Sequence, residues 1–424
     1  MSTPRAPRSR RTRVPVVCLL VLAVLCVPPG LFYLGFATST ALGTTLVSAG
    51  LALVSRAFDG RVRPPRIPAG RAVAFAVALA CVIALHLLAS LAHGPVDLQR
   101  GFLSMMPLML LVVGGAALAN RLTAVADVQV HSGLIAAFTV LCFCAAVGTT
   151  GWGPPTLAAE PWRKPVFPFF EPSVFALGFT PILLYVATTM RGGSRVTTLA
   201  VALVFGVLLQ NLTLMCGLAL VAFLTLRKRW LVAGGAIALF IGGQLDLTYF
   251  TERIDTTGES NNLSNLVYLQ GWQMVEEAWN RSSGLGTGMQ QLGVSGTEVS
   301  AAGLLRALRD GEDMNLLDGG FVFAKLGADF GIFGAAIASA LLAMAVRSAL
   351  LLRHAARDHQ PRMAPALLIA HCSITCFPVE LFIRSPGYFT GGALLLSAAL
   401  WLLLYSPVVA PFQSPPERAT PPVK

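Results

Sequence analysis

Charged residues are scarce in this chain. Only 12% of the 424 residues are Asp, Glu, Lys or Arg, whereas 55% are hydrophobic, and the mean hydropathy is +0.70. A composition this apolar excludes an ordinary soluble domain and is typical of integral membrane proteins. The net charge of +11 comes from 31 basic and 20 acidic residues, so their distribution decides what it means.

Several sequence motifs are also missing. The chain has no P-loop, no dinucleotide-binding fingerprint and no HExxH, which argues against nucleotide-driven transport and against a zinc hydrolase. Its six histidines show no metal-ligand spacing. All eight cysteines lie within apolar segments, which indicates packing residues and no disulfide framework in the polar loops.

Long apolar segments dominate what is present. A helix needs about 20 apolar residues to cross the hydrocarbon core of a membrane. Twelve segments qualify approximately: 14–32, 37–55, 72–92, 102–119, 130–148, 173–190, 196–209, 211–226, 230–245, 322–346, 364–382 and 387–405. The sequence therefore predicts an all-α integral membrane protein with about 12 transmembrane helices.

Basic residues orient these helices. Of the 31 Lys and Arg residues, 22 fall in tails and loops that would share one face, and nine fall on the other. The positive-inside rule makes the basic face cytoplasmic, and most acidic residues lie on the opposite face. The net charge therefore reflects topology and does not indicate nucleic-acid binding. Both termini are predicted to be cytoplasmic, as the basic tails 1–13 and 406–424.

The number of membrane crossings in one apolar segment determines on which side of the membrane all later loops lie. Residues 196–226 lie between Arg195 and Arg227, which both belong to the basic face. We interpret the segment as two short helices whose connecting turn, at residues 210–213, faces outward. A single tilted helix is the alternative, and it would invert all later segments.

With the hairpin, helices 1–9 occupy residues 14–245, with an external loop at about 149–172. Residues 246–317 then form one large periplasmic loop, and helices 10–12 occupy residues 318–405. The large loop holds ten of the 20 carboxylates, four arginines and a run of alternating glycines. Chemistry or recognition is expected where this loop meets the helix ends.

A charged pair lies near the end of the eleventh apolar segment. Glu380 and Arg384 are one helical turn apart if that helix continues, so they would form an ion pair. The alternative is that Arg384 presents its guanidinium to a phosphate group at the outer membrane boundary. Arginine suits this task because its planar fork binds phosphate oxygens in a bidentate manner and keeps its proton.

A second group of outward residues surrounds Glu171. Pro172 follows it, and proline is favoured in the first turn of a helix. Glu171 is therefore either an acidic cap on the positive end of that helix or a functional carboxylate. Arg163, Lys164 and the aromatic residues of 167–170 accompany it, and aromatic rings suit contact with sugars.

The third group lies in the large loop and the helix that follows. Residues 272–279, bounded by two tryptophans, suit an amphipathic helix at the membrane interface, and the glycines from 284 onward mark turns. Polar residues then lead into the next apolar segment: Arg306, Arg309, Asn315, Asp318, Lys325 and Asp329. Asp318 and Lys325 are seven residues apart and so lie on roughly one helix face. A solvated face explains the arginines better than it explains Lys325 and Asp329, which lie inside an apolar segment.

Taken in order, these features resemble bacterial polysaccharide polymerases of the O-antigen polymerase (Wzy) type, within the wider O-antigen ligase and polymerase superfamily. The resemblance covers roughly residues 150–395. It rests on the segments 170–176, 209–214, 284–288, 315–320 and 384–389, taken in their order and sidedness.

The resemblance implies a GT-C-like glycosyltransferase architecture and a metal-independent, cofactor-free glycosyl transfer at the outer face of the bacterial inner membrane. Donor and acceptor would be oligosaccharide repeat units on undecaprenyl pyrophosphate. Arginines would stabilise charge on the leaving pyrophosphate, and a carboxylate would accept a proton from the acceptor hydroxyl. The expected partners are these lipid-linked sugars, membrane lipids, a flippase and a chain-length regulator, and no nucleic acid.

Candidate residues for these tasks follow from the same groups. The expected catalytic residues are Glu171, Asp318 and Arg384. The expected substrate-binding residues are Arg100, which follows Asp97 in a short external loop, and Arg163, Arg281, Arg306, Asn315, Lys325 and Tyr388. No metal-binding residue is expected.

Two other functions remain open. The ligase branch carries a histidine just before an asparagine in the large loop, whereas this chain has Met314 before Asn315 and no histidine between His131 and His354. This departure favours a polymerase over a ligase-like glycan transferase. A secondary transporter or lipid-linked sugar flippase can also have twelve spans. Such proteins often show two similar halves, and this sequence shows no six-plus-six repeat.

Overall fold

The structure, a computed structural model, describes residues 14–58, 67–154, 165–227, 262–294, 299–357 and 363–405. Over these ranges the chain is all-helical and has no β-strand. The α-helices, in chain order, are α1 Val14–Tyr33, α2 Thr40–Phe58, α3 Ala69–Ser90, α4 Leu98–Ala124, α5 Asp127–Thr149, α6 Pro172–Thr189, α7 Gly192–Leu208, α8 Leu212–Thr225, α9 Leu263–Ser282, α10 Ser300–Leu308, α11 Val322–Arg357, α12 Pro365–Phe382 and α13 Gly391–Tyr405.

Seven of the described helices are long and apolar enough to cross a membrane: α1, α3, α4, α5, α6, α11 and α12. Four shorter apolar helices, α2, α7, α8 and α13, accompany them. Helices of this kind suit a membrane because each one satisfies its backbone hydrogen bonds internally. The expected segment 230–245 and the two basic tails lie outside the described residues. The count of twelve spans and the position of the termini therefore stay predictions.

The segment 196–226 forms two helices, as the hairpin interpretation predicts. Asn211 caps the start of α8, where its side-chain oxygen accepts a hydrogen bond from the amide of Leu214 at 3.2 Å. The Asn211 amide nitrogen donates to the carbonyl of Pro172, the first residue of α6. The turn between α7 and α8 therefore lies beside the beginning of α6.

The opposite ends of these helices meet at Arg195. Its guanidinium donates to the carbonyls of Thr225 at 2.6 Å, Met190 at 2.7 Å and Ala356 at 3.0 Å. Thr225 is the last residue of α8, Met190 follows α6, and Ala356 lies at the end of α11. Arg195, near the start of α7, therefore binds the C-terminal ends of three other helices. Cations near helix C-termini are stabilised by the helix dipole. The hairpin thus has its turn at one end of the bundle and its two outer ends at the other.

Helices α6 and α12 form the centre of the bundle. Nearly every residue of both helices is buried, and Phe175, Phe179 and Tyr185 of α6 are fully enclosed. In a membrane such helices are held together mainly by close van der Waals packing and by hydrogen bonds between helices. The residue before α6 contacts a residue just after α12, so the two helices run antiparallel.

Helix α11 is interrupted at Gly331, whose backbone angles (φ 56°, ψ −129°) suit glycine alone. The glycine turn, defined here as residues 284–293, packs into this break, and the amide of Ile332 donates to the carbonyl of Gly284 at 2.8 Å. A Cβ atom on Gly331 would lie only 2.0 Å from that carbonyl oxygen. The large loop is therefore fixed to the broken helix.

The described part of the large loop also contains α9 and α10. The expected amphipathic segment 272–279 lies within α9. There the indole nitrogen of Trp279 donates to the carbonyl of Gly327 at 2.8 Å. Trp272 remains 38% exposed while its ring packs on Phe321 and Phe323. Helix α9 therefore lies along the first part of α11. Of the two tryptophans that bound the amphipathic segment, Trp272 is the one exposed enough to contact a membrane interface.

Candidate functional site

The site is centred on an ion pair between Arg384 and Glu171. The Nη2 atom of Arg384 lies 3.1 Å from Oε2 and 3.5 Å from Oε1 of Glu171. The two side chains are 21% and 34% exposed, so the pair is open to solvent. Two residues predicted as catalytic are thus in direct contact, at the end of the bundle that also holds the turn between α7 and α8.

The expected pairing of Arg384 with Glu380 does not occur. Helix α12 ends at Phe382, so Arg384 lies beyond the regular helix that would have placed the two side chains one turn apart. Glu380 is 4% exposed and accepts a hydrogen bond from the hydroxyl of Thr390 at 2.9 Å. Thr390 also accepts from the amide of Ala393 at 2.9 Å, so Glu380 is joined to the first turn of α13.

Arg384 uses only part of its hydrogen-bonding capacity. Both contacts with Glu171 are made by Nη2, whereas a guanidinium carries five N–H donors in a rigid fork. Neither Nε nor Nη1 donates to a side chain or carbonyl within the described ranges. The geometry therefore leaves much of the fork available to an anionic ligand.

Glu171 stands at the N-cap position of α6, with extended backbone (φ −136°, ψ 147°), but its carboxylate makes no capping hydrogen bond there. The carboxylate instead accepts from the hydroxyl of Ser173 at 2.8 Å and from Arg384. Pro172 occupies the first helical turn, as the sequence predicts. Glu171 therefore lies at the positive end of α6, as the interpretation of an acidic cap predicts, while its carboxylate is oriented toward the end of α12.

A second ion pair joins Asp318 to Lys325. The Lys325 ammonium lies 2.9 Å from Oδ1 of Asp318 and 2.7 Å from the carbonyl of Leu317. The lysine side chain is 1% exposed and the aspartate side chain 42%, so the cation is enclosed while the carboxylate remains accessible. Asp318 precedes α11, so the pair forms between a loop and the first turn of the helix.

The arginine loop, defined here as residues 383–390 between α12 and α13, connects the two ion pairs. The absent side chain of Gly387 makes room for Asp318, because a Cβ atom on Gly387 would lie 2.9 Å from its Oδ1. Arg384 precedes Gly387 by three residues, so one short loop carries Arg384 and contacts the Asp318 carboxylate. The amide of Ser385 donates to the carbonyl of Gly320 at 2.8 Å and fixes the arginine loop against the segment that precedes α11.

Asp329 is a buried anchor for this region. Its Oδ2 atom accepts from the amide of Gln290 at 2.8 Å and from the hydroxyl of Tyr388 at 3.0 Å. Its Oδ1 atom accepts from the amides of Gln291 and Leu292, each at 3.1 Å. One fully buried carboxylate thereby holds the glycine turn and the arginine loop together. These four hydrogen bonds satisfy both oxygens of a carboxyl group that has no access to water.

Tyr388 links this anchor to the second ion pair. Its ring lies 5.5 Å from the Lys325 ammonium, within the range of a cation–π contact. Removal of the phenol from water raises the pKa of Tyr388 well above its ordinary value, and the charge of Asp329 and the hydrogen bond to it act in the same direction. The phenol therefore stays protonated at neutral pH and keeps donating to Asp329. The hydroxyl hydrogen of Tyr388 is thus already donated to Asp329.

A small cavity lies beneath the first ion pair. It has a volume of about 30 Å³, room for one or two water molecules, and it is lined mainly by apolar residues of α1, α6 and α13. Glu380 and Thr390 are among its few polar side chains, and Phe169, Val174 and Pro386 also line it. It is far too small to hold a sugar.

The remaining predicted residues have other neighbours. Arg281 pairs with Glu277 at 3.0 Å on α9, and Arg306 pairs with Asp313 at 2.6 Å beside α10. Arg100 lies in the first turn of α4, where its backbone amide donates to the capping carboxylate of Asp97 at 2.9 Å.

Asn315 forms a turn with φ 51°, and its carbonyl accepts from the amide of Gly319 at 2.7 Å. Its role in the structure is therefore to turn the chain just before Asp318. Arg163 and Lys164 lie outside the described residues. The structure thus brings together Glu171, Arg384, Asp318, Lys325 and Tyr388 from the predicted set.

Two of the predicted sugar-facing aromatic residues, Phe169 and Phe170, are packing residues. Phe169 is 1% exposed and packs edge-to-face on Phe175, and Phe170 is 6% exposed and packs edge-to-face on Phe32. They are buried because the segment before α6 folds back against α1. An exposed aromatic surface instead occurs at Trp272, whose contacts continue through Phe323 to Phe382.

Asp329 and Glu380 are functional-site neighbours that the sequence left unassigned. Both are acidic residues in apolar segments, where a charge costs about 2.5–3.5 kcal/mol at the membrane centre. An acidic residue inside an apolar segment is therefore the sequence signal that points to these two residues. Their partners were not predictable, because Gln290 and Tyr388 are 39 and 59 positions from Asp329.

Comparison of the chain with family models, with curated proteins and with solved structures finds no match.

Proposed function

We propose that this protein is a membrane glycosyltransferase that polymerises lipid-linked oligosaccharide repeat units into a surface polysaccharide. The observation that carries the proposal is the Arg384 guanidinium, which touches Glu171 through one nitrogen and keeps most of its fork unused at an open end of an apolar helical bundle. A cation and a carboxylate so placed suit a substrate with a charged headgroup, a sugar and a lipid tail. The substrates would be repeat units on undecaprenyl pyrophosphate, bound by a GT-C-like fold at the outer face of the inner membrane.

Arg384 would bind the pyrophosphate of the donor. Its planar fork matches two phosphate oxygens at once, and it keeps its charge throughout the reaction. Lys325 does not suit this task, because it is 1% exposed and already donates to Leu317 and Asp318. We therefore assign Lys325 the role of positioning Asp318, which differs from the substrate-binding role expected of it.

The transfer step would form one glycosidic bond and break another. A hydroxyl oxygen of the acceptor sugar attacks the anomeric carbon of the donor glycan, and the bond from that carbon to the pyrophosphate oxygen breaks. The bonding electrons leave with the lipid pyrophosphate, whose new charge Arg384 stabilises. The hydroxyl proton passes to a carboxylate, either Glu171 or Asp318. Atoms and charge balance without any further reactant.

The large loop would form one side of this site. Asp329 fastens the glycine turn and Tyr388 of the arginine loop to one helix, so the headgroup site is held by several elements at once. Preorganised groups of this kind stabilise a transition state better than mobile ones, because they need no reorganisation during the reaction. The exposed ring of Trp272 adds a flat apolar surface beside α11.

A strain that lacks this gene tests the proposal. Surface glycan in that strain should consist of single repeat units, and the wild-type gene should restore long chains, whereas the Arg384→Ala variant should not. Long chains in the deletion strain would rule out a polymerase. Long chains that remain on the carrier lipid instead of reaching their final acceptor would indicate a ligase. Repeat units confined to the inner leaflet would indicate a flippase.

A further inference from the structure

A row of aromatic rings leads from the large loop to the end of α12. We call it the aromatic ridge, and its members are Tyr268, Trp272, Phe321, Phe323 and Phe382. We propose that this ridge binds the glycan of the lipid-linked substrate, with a sugar ring stacked on the indole of Trp272. The inference rests on the proposed function and adds to it the surface along which the glycan leaves the membrane.

Neighbouring rings hold Trp272 in place. Its indole lies 5.3 Å from the ring of Phe321 and 5.4 Å from the ring of Phe323, measured between ring centroids. Aromatic pairs at such separations attract each other. Phe321 is fully buried, whereas Trp272 is 38% exposed. The indole therefore has a fixed position while part of its surface stays open, and a sugar would bind it without first having to order the side chain.

The ridge is continuous with the proposed headgroup site. Phe382, the last residue of α12, packs its ring 5.4 Å from that of Phe323 and precedes Arg384 by two positions. The arginine loop is also joined to the ridge by a hydrogen bond, because the amide of Ser385 donates at 2.8 Å to the carbonyl of Gly320, whose next residue belongs to the ridge. A diphosphate at Arg384 and a sugar on the ridge would therefore be held by one connected part of the protein.

The surroundings of Trp272 suit a glycan better than a lipid tail. Among the described helices, α9, which carries Trp272, is not one of those apolar enough to cross a membrane. Glu276, one helical turn further on, is exposed, and Gln273 donates to the hydroxyl of Ser300 at 2.9 Å. A polyprenyl chain offers nothing to such polar groups, whereas a sugar presents C–H groups to an aromatic ring and hydroxyl groups to polar neighbours.

The direction of the ridge also fits the substrate. The carrier lipid needs hydrocarbon around it, so the glycan points away from the membrane when the diphosphate lies at the membrane boundary. The ridge runs the same way, from Phe382 at the end of an apolar helix to Trp272 on the more polar helix of the large loop. The sugars that follow the diphosphate would therefore extend along the ridge.

The kinetics of glycan elongation test this inference, with purified protein in liposomes that contain undecaprenyl pyrophosphate-linked repeat units. Trp272→Ala should raise KM about tenfold and leave kcat within about twofold, because the stacking is present before and during the reaction. Trp272→Phe keeps a flat ring and should stay within about threefold of the wild-type KM, whereas Trp272→Leu is apolar without a flat ring and should behave like Trp272→Ala. Trp152→Ala is the matched control, since Trp152 is 58% exposed but lies after α5, outside the ridge.

A free oligosaccharide separates the glycan from the rest of the substrate. The probe is the repeat unit released from its carrier lipid by mild acid, which carries neither phosphate nor lipid. Calorimetric titration of the full-length protein in nanodiscs should show binding that Trp272→Ala weakens about tenfold and that Trp152→Ala leaves unchanged.

Three results would overturn the inference: oligosaccharide binding that does not depend on Trp272, an unaltered KM in Trp272→Ala, and full activity in Trp272→Leu. The last result would mean that this position contacts a lipid tail or the membrane interface. A loss confined to kcat, together with a lower melting temperature, would show a structural role and would overturn it as well. In each case, elongation by the wild type would leave the proposed function standing. A wild type that does not elongate glycans would contradict the proposed function, and oligosaccharide binding through Trp272 would then still support the ridge as a glycan site.

Discussion

Arg384 contacts Glu171 across 213 positions of sequence, with Nη2 at 3.1 Å from Oε2. The pair joins the beginning of α6 to the chain just beyond α12, and these are the two most deeply buried of the long apolar helices. Functional groups on rigid elements are held more accurately than groups on free loops. Substitutions at this pair should therefore alter chemistry far more than folding.

Arg384→Ala should reduce the rate of chain extension about 100- to 1,000-fold, which is the usual loss when a group that stabilises developing charge is removed. Arg384→Lys keeps the charge but loses the planar fork, and we expect at least about a tenfold loss. The measurement is the initial rate of glycan elongation by purified variants. Arg309→Lys is the control, because Arg309 makes a surface ion pair with Glu312, and its rate should equal that of the wild type. A fully active Arg384→Lys would exclude bidentate phosphate binding.

Asp329→Asn should destabilise the protein by about 3–5 kcal/mol, the usual result of disrupting a buried charge with several partners. An asparagine offers one acceptor oxygen to three backbone amides and the Tyr388 hydroxyl, and its own NH₂ group opposes some of these donors. The melting temperature in detergent measures the effect. Tyr388→Phe removes a single donor and should cost about 1–2 kcal/mol. Equal losses in the two variants would show that Asp329 is not the anchor of the glycine turn.

Gly331→Ala should be among the most destabilising single-methyl substitutions in the chain, with a cost of at least about 3 kcal/mol. The new Cβ would overlap the backbone of Gly284, and the backbone angles of residue 331 do not suit alanine. Gly303→Ala is the matched control on α10, because its Cβ would meet nothing within 4 Å. That substitution should be neutral or stabilise the protein by about 0.5–1 kcal/mol. A tolerated Gly331→Ala would mean that the glycine turn does not pack into the break in α11.

The hairpin topology predicts which positions a membrane-impermeant maleimide labels in spheroplasts. Gln210→Cys, at the exposed turn between α7 and α8, should react from outside the cell. Ser194→Cys, exposed at the start of α7 beside Arg195, should react only after the membrane is permeabilised. The unsubstituted protein is the background control, since its eight cysteines lie in apolar segments. The reverse labelling pattern would place the ion-pair site on the cytoplasmic side.

Hydropathy predicted the helices well because the membrane imposes a simple requirement on length and composition. Eleven of the twelve expected segments correspond to described helices, and the break between α7 and α8 falls at the polar residues where it was expected. The segment 230–245 lies outside the described residues. The sequence also predicts functional roles for Glu171 and Arg384, because both are charged residues at the outward ends of apolar segments.

The pairing of charged side chains could not be read from the sequence. Glu380 and Arg384 have the spacing of a helical pair, but α12 ends between them, and the end of a helix depends on packing as well as on local sequence. Asp329 was conspicuous as a charge in an apolar segment, yet its partners come from distant parts of the chain. Phe169 and Phe170 looked like a sugar platform and are buried, because aromatic residues suit both roles.

The most direct test of the central claim is glycan elongation by the purified protein in liposomes that contain undecaprenyl pyrophosphate-linked repeat units. We predict that glycans of two and more repeats accumulate on the same carrier lipid, that one free undecaprenyl pyrophosphate is released for each glycosidic bond formed, and that both products are lost with Arg384→Ala. Translocated but unextended repeat units, or extension that is unchanged in the Arg384→Ala protein, would contradict the account.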